Sequence, residues 1–118
     1  MALVFVYGTL LRGERNHALL ARASFAGEGR TLPAFELAHM GAYPALVAGG
    51  RVAVMGEVWD VDAATLASID ELEEVPTLYQ RKRIPIEDGR VVETYLMPSE
   101  STTGARRIES GDWKRRED

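Results

Sequence analysis

The sequence predicts a small α+β domain: a curved, mostly antiparallel sheet forming a partial barrel, with two short helices. Three observations carry this reading. Short apolar runs and alternating stretches recur along the chain, cut by Gly and Pro, as strands separated by turns require. Gly49-Gly50 and Asp88-Gly89 lie between such runs and read as hairpin turns. One longer stretch, AATLASIDELEE after Asp62, has helical spacing behind a capping residue.

The elements follow in order. Leu3–Val6 is a continuous apolar run ended by Tyr7-Gly8-Thr9, which predicts a buried strand running into a loop. Asn16 is placed to cap a short helix through Ala23, built on Ala18, Leu19, Leu20 and Ala21. Between Ser24 and Val61 the pattern is strand-like. Phe35 and Leu37 alternate with polar neighbours, Gly41 and Pro44 mark turns, and Gly49-Gly50 predicts a hairpin joining Ala45–Val47 to Val52–Val61. Asp62 caps a helix reaching about Glu74, since Pro76 cannot continue it. Strands over Tyr79–Ile86 and Val91–Met97 are joined by Asp88-Gly89, a type I′ signature. That makes five or six strands. From Pro98 the chain reads as a polar tail, in which Ser110–Trp113 forms a capped turn, the indole packs back on the body and Lys114–Asp118 frays.

At 118 residues, 46% hydrophobic and 27% charged, residues 1–118 read as one ordinary globular domain. Cys is absent, which excludes disulfides, thiolate zinc sites, iron–sulfur clusters and a cysteine nucleophile. The formal charge of −4 offers no global attraction to nucleic acid or anionic lipid, and no basic-then-apolar leader or long apolar span is seen. A soluble, cytoplasmic protein is the expectation, a monomer or weak homodimer that binds neither membrane nor nucleic acid.

Glu57–Glu74 holds seven acids and no Lys or Arg. Most such clusters are solvated faces, but the helical wheel separates one member. With Leu66 at zero and about 100° per residue, Ile69 falls near 300°, Leu72 near 240° and Glu73 near 340°. Glu73 therefore shares the apolar stripe, whereas Glu71 and Glu74 do not. A carboxyl there must be neutral, paired or functional. Desolvation, acidic neighbours and the negative end of the helix dipole all push its pKa from about 4.3 toward neutrality, where it becomes an effective general base. The bland alternative is an ion pair with Arg81 or Arg83.

The loop after the first strand is the second candidate. Gly8 gives its backbone unusual freedom and lets a ligand approach closely, and successive N–H groups in such a turn can hold a carboxylate or oxyanion. GxxxxGK[ST] and GxGxxG are both missing, so it is not a phosphate loop. The bland alternative is a tight turn with Tyr7 in the core.

Together these segments resemble the γ-glutamylcyclotransferase family. The matching pieces are Tyr7-Gly8-Thr9-Leu10 with Gly13 and Asn16, then Gly56-Glu57-Val58-Trp59-Asp60-Val61, Asp70 and Glu73, and Leu78-Tyr79-Gln80-Arg81. Gly41-Ala42-Tyr43-Pro44-Ala45 looks like the family's glycine–tyrosine–proline loop. The resemblance covers roughly residues 2–97 and looks most like the γ-glutamylaminecyclotransferase branch and its small bacterial relatives; Pro98–Asp118 carries no motif that maps.

The resemblance implies a cyclising transferase or lyase, converting a γ-glutamylamine or γ-glutamyl amino acid to 5-oxoproline and a free amine without metal or organic cofactor. It implies Glu73 as general acid/base and Tyr7, Gly8, Thr9 and Leu10 as the substrate-binding loop. Tyr79 and Arg81 are further candidates for orienting the substrate or Glu73. A rival from another class is a small-molecule-binding or interaction domain without turnover. His17 and His39 lack metal-ligand spacing, Asp60 and Asp62 lack the rest of a calcium loop, and the short basic clusters lack interleaved aromatics. Trp59 and Trp113 read as packing residues.

Overall fold

The computed structural model describes residues 2–117. Its strands are β1 (Ala2–Val6), β2 (Ser24–Arg30), β3 (Phe35–His39), β4 (Pro44–Ala48), β5 (Met55–Val61), β6 (Gln80–Pro85), β7 (Val91–Leu96) and β8 (Arg106–Arg107). The single α-helix among the described residues, α1, is Ala63–Leu72. All eight strands belong to one curled sheet in the order β2-β5-β1-β7-β4-β3-β8, with β6 also on β7.

β1 is uninterruptedly apolar because it is interior. β5 lies antiparallel on one side, Ala2↔Val61 to Val6↔Glu57, and β7 parallel on the other at Val4↔Glu93. Val4, Phe5 and Val6 are accordingly buried. The sheet is mostly antiparallel, as the sequence predicts, with two parallel pairings, both on β7: β1 at Val4↔Glu93 and β4 at Leu46↔Leu96.

This pairing forks the sheet. β6 occupies one edge of β7 along its whole length, from Gln80↔Leu96 to Pro85↔Val91, so β1 and β4 must share the other edge. β1 takes the end near Glu93 and β4 the end near Leu96, and the chain leaving β1 at Tyr7 emerges where they part. The Tyr7 hydroxyl sits in that fork. It donates to the Tyr95 carbonyl of β7 at 2.6 Å and accepts from the Leu46 N–H of β4 at 3.1 Å. One side chain thus supplies the ladder bonds that the divergent strands leave unmade.

Two turns differ from the sequence reading. Gly49-Gly50 does not join paired strands, because β4 pairs with β3 and β7 while β5 lies across the sheet. Gly49 has φ +94 and both N–H groups donate to the Ala34 carbonyl, so the pair carries the chain away from β4. The hairpin here is β3–β4, turning through Gly41. Asp88-Gly89 does join antiparallel β6 and β7, but only Gly89 (φ +93) takes positive φ. Gly89 N–H donates to Ile86 O, and Ile86 N–H to Arg90 O. That is a type I turn followed by a left-handed glycine rather than type I′.

α1 begins as expected, with Asp62 accepting from the Thr65 N–H at 2.7 Å. It ends at Leu72 with Glu73 as C-cap. Glu74 stands in the left-handed region at φ 54; its N–H donates to Glu71 O and the Val75 N–H to Asp70 O. This is a Schellman closure with a glutamate where glycine is usual. The helix expected from Asn16 to Ala23 is only a 3-10 turn, His17–Leu20. So short a segment cannot sustain α-helix without burying a full face, and Leu20 alone is buried. Asn16 does not cap it; its side-chain amide donates instead to Thr9 Oγ1 at 2.9 Å.

The segment from Pro98 packs more closely than a loose tail. β8 pairs with β3, and Thr102, Ile108 and Trp113 are buried. Asp112 caps the turn at Trp113–Arg115, whose indole N–H reaches Glu14 Oε1 at 3.2 Å. Lys114 is docked rather than frayed, its Nζ donating to the Arg12 carbonyl at 2.6 Å; Asp118 lies outside the described residues. No helix among the described residues is long and apolar enough to cross a membrane.

Candidate active site

Where β1 and β4 part, a cavity of about 240 Å³ opens. Its floor and walls come from the β1 exit (Tyr7, Gly8, Thr9, Leu10), Pro44 at the start of β4, Glu73 at the end of α1, and Tyr79 before β6. The volume lies below the range of about 300–1,000 Å³ usual for drug-sized ligands, so it suits a small substrate.

Glu73 reaches the cavity because of helix phase. Thr65 and Ile69 are buried, Leu66 and Glu73 half-buried, and these positions form one stripe. Leu72, expected on that stripe, is 39% exposed and only borders the cavity. The Glu73 carboxyl makes no hydrogen bond or ion pair with a described residue. Burial without a compensating donor pushes its pKa from 4.5 up to about 7. The ion pair with Arg81 or Arg83 does not form. Arg81 holds Asp70 at 2.8 Å and Glu93 at 3.4 Å, and Arg83 holds Glu93 at 3.1 Å.

The aromatic walls are held from behind. The Tyr79 hydroxyl donates to the Pro44 carbonyl at 2.6 Å, and burial followed by the nearby Glu73 charge raises its pKa. Tyr7 is raised by the same two influences with Tyr79 added, burial being the largest. Both hydroxyls therefore stay protonated and are already committed to backbone partners. Each ring lines the cavity, but neither phenol is free to act as an acid or base.

The loop after β1 folds its carbonyls into its own structure. Gly8 O accepts from Leu11 N–H, Thr9 O from Asn16 N–H, and Leu10 O is bonded to His17 Nδ1. The N–H groups of Gly8, Thr9 and Leu10 have no acceptor among the described residues. Three adjacent backbone donors on cavity-lining residues are thus left without a partner among the described residues, the kind of group that can receive negative charge. Gly8 serves differently from the expectation, since it does not adopt positive φ. Its lack of a side chain is needed by Pro44, because a Cβ would lie 2.6 Å from both Cγ and Cδ of that ring.

A γ-glutamyl cyclotransferase, AIG2-like, family model matches residues 4–115, which includes every cavity residue named above. The chain belongs to the γ-glutamylcyclotransferase family. Among its relatives, a putative γ-glutamylcyclotransferase of Vibrio cholerae is 43% identical, with 97% of this chain and 96% of that protein covered. The human γ-glutamylaminecyclotransferase is 44% identical over 69% of this chain and 59% of its own length. The crystal structure of an AIG2-like protein from mouse superposes with a TM-score of 0.83 at 31% identity, covering 95% of this chain and 88% of that one.

In this family member the structure brings together Glu73, Tyr7, Gly8, Thr9, Leu10 and Tyr79. It leaves Arg81 outside the cavity, turned to the carboxylate of Asp70 one helical turn before Glu73. Sequence reasoning missed Tyr95, Leu78 and Arg15 as lining residues. Tyr95 breaks the alternation of β7, since Thr94 and Tyr95 are both buried, and nothing in Glu-Thr-Tyr-Leu announces that. Glu57, counted within the acidic run, is in fact 5% exposed and structural. Burial alone would raise its pKa, but the Arg12 N–H and guanidinium and the Trp59 indole N–H hold it low. Among the described residues no three His, Asp or Glu side chains converge as metal ligands.

Proposed function

We propose that this protein converts a γ-glutamyl compound to 5-oxoproline and a free amine, with Glu73 as the general acid/base. The observation that supports this best is the solitary Glu73 carboxyl, half-buried in the cavity with its pKa raised to about 7. A purely structural carboxylate at such a position would be paired, and a binding module has no need of an acid poised to exchange a proton near neutral pH.

The substrate's α-amine is its own nucleophile, so no serine or cysteine is required. Glu73 takes a proton from the α-ammonium, and the freed amine attacks the side-chain amide carbon. A carbon–nitrogen bond forms, closing the five-membered ring, and the carbonyl oxygen gains negative charge. The N–H groups of Gly8, Thr9 and Leu10 receive that charge, each well-aimed donor contributing about 3 kcal/mol. The original amide bond then breaks as the carbonyl re-forms and Glu73 returns its proton to the departing nitrogen. The Glu73 carboxylate so regenerated takes the second proton from the ring nitrogen, leaving the neutral lactam, and that proton passes to the released amine. No water is consumed.

Confinement supplies the rest. Tyr7, Tyr79 and Pro44 are fixed by the hydroxyl–backbone bonds described above, so the cavity wall is preformed. Holding amine and carbonyl in attacking geometry lowers the barrier by about 7–11 kcal/mol in the best intramolecular cases. Incubation with a panel of γ-glutamyl amines and amino acids, with 5-oxoproline measured, tests the reading. Release by the parent protein and its loss in Glu73→Gln supports it, and a Glu73→Gln protein that turns over at the parental rate refutes it.

A further inference from the structure

The cavity continues outward into a shallower groove between the 3-10 turn at His17–Leu20 and α1, and the two share Arg15, Asn16, Leu72 and Glu74. If the γ-glutamyl end enters to meet Glu73, the rest of the substrate, its leaving amine, must lie in this groove. Resting on the cyclotransferase reading, we propose that Arg15 selects the leaving group by holding a carboxylate carried on it. The favoured substrates are then γ-glutamyl amino acids or peptides, rather than γ-glutamyl derivatives of simple or cationic amines.

The first argument is availability. Arg12, Arg30, Arg81, Arg83, Arg90 and Arg107 each hold a carboxylate. Arg15 lines cavity and groove and has no hydrogen bond or ion pair with a described residue. A guanidinium fork matches a carboxylate in two parallel hydrogen bonds, a geometry that a hydrated surface lysine does not impose.

The second argument is rigidity. Glu14 N–H donates to Leu11 O, and Asn16 is fixed to Thr9 through both its backbone N–H and its side-chain amide. The C-terminal segment braces the same loop, Trp113 on Glu14 and Lys114 on the Arg12 carbonyl. Arg15 therefore projects from a backbone pinned on both sides, at a fixed place relative to the Thr9 and Leu10 donors.

The third argument is charge arrangement. Glu71 and Glu74 line the groove from the α1 side, with Leu19 and Leu72 giving it partly exposed apolar surface. An anionic substituent is repelled by the two acids and attracted by Arg15, so it has one favourable place to lie. That place fixes the direction in which the leaving amine departs.

The test compares three substrates with the same reacting γ-glutamyl amide: γ-glutamyl-L-alanine, γ-glutamyl-ethylamine and γ-glutamyl-1,4-diaminobutane. The parent protein should favour the alanine compound over the ethylamine compound in kcat/KM by about fivefold, as a partly solvated ion pair allows, and the preference should shrink as salt is raised. Arg15→Gln should bring the ratio close to one, Arg15→Lys should retain part of it, and Arg15→Glu should reverse it. A parent that turns over these compounds with a ratio unchanged in Arg15→Gln, or that prefers the diaminobutane compound, overturns the inference while leaving the cyclotransferase reading intact. A parent that turns over none of the three overturns both.

Discussion

The Tyr95 hydroxyl donates to Asp70 Oδ1 at 2.7 Å while Arg81 grips Oδ2 of the same carboxylate at 2.8 Å. Asp70 lies one turn before Glu73 on α1, so β6 and β7 together fix the rotation of the helix end that carries the proposed base. Arg81 thereby acts on Glu73 through Asp70 rather than by touching it. Asp70→Asn should lower kcat by about 10- to 100-fold with little change in KM, as expected when a reacting group is displaced by about an ångström. Tyr95→Phe should cost about 1 kcal/mol of stability. Kinetics at a temperature where both variants are fully folded check this; a purely structural Asp70 would lower the melting temperature and leave kcat intact.

On the proposed mechanism Glu73 ties activity and stability to pH with opposite signs. Below pH 4.5 it is protonated in folded and unfolded chains alike and contributes nothing to the pH dependence. Because its folded pKa is raised to about 7, the folded state disfavours ionisation, and stability falls as pH rises from 4.5 to 7. Above pH 7 the cost is constant. Replacement by Gln removes it, so Glu73→Gln should be more stable than the parent at pH 8, by about 1–2 kcal/mol after allowance for partial solvation, and equal to it at pH 4. Urea titrations at both pH values check this. In the parent, kcat/KM should rise with pH through a midpoint near 7.

The part of the candidate cavity carried by local patterns was legible in the sequence, and the part carried by sheet topology was not. Glu73 could be found because helix phase is fixed by residue spacing, and Asp62 marked where that phase begins. Tyr7 to Leu10 could be found because a buried strand must end in a loop. The fork that opens the cavity depends on β1 and β4 sharing one edge of β7, and pairing between residues so far apart leaves no mark on either strand. For the same reason Gly49-Gly50 suggested a hairpin, since a turn dipeptide specifies the bend and not the partner. Trp113 could be read as packing inward, but its partner Glu14 lies across the whole chain.

The Tyr7 hydroxyl bridges β7 and β4, so Tyr7→Phe leaves the buried Leu46 N–H without an acceptor and the Tyr95 carbonyl without this donor. The expected cost is about 1–3 kcal/mol. At about 4 °C per kcal/mol, calorimetry should show a melting temperature lower by roughly 4–12 °C. The apolar ring remains, so the cavity keeps its wall. Residual turnover of the folded variant should exceed that of Glu73→Gln, and equal loss in the two would assign the phenol a direct chemical role.

Gly8 and Pro44 meet too closely for any side chain between them, which couples the proposed substrate loop to the aromatic wall. A Cβ on residue 8 would lie 2.6 Å from Pro44 Cγ and Cδ, a distance that forces something to move. The proline ring is stiff, and its carbonyl is held by the Tyr79 hydroxyl at 2.6 Å, so displacement of Pro44 is passed to Tyr79 on the far wall. The alternative is that the loop moves, carrying the Gly8, Thr9 and Leu10 N–H groups out of register with the reacting carbonyl. Either route separates donors from base. Gly8→Ala should therefore destabilise by about 1–3 kcal/mol, as overpacking in a tight interior does, and also lower kcat in the fraction that folds. A second change that removes the obstacle, Pro44→Ala, should restore part of the stability lost in Gly8→Ala although it is itself destabilising in the parent. A double-mutant cycle by thermal unfolding measures that coupling, and strictly additive effects would show that the two residues are not in contact.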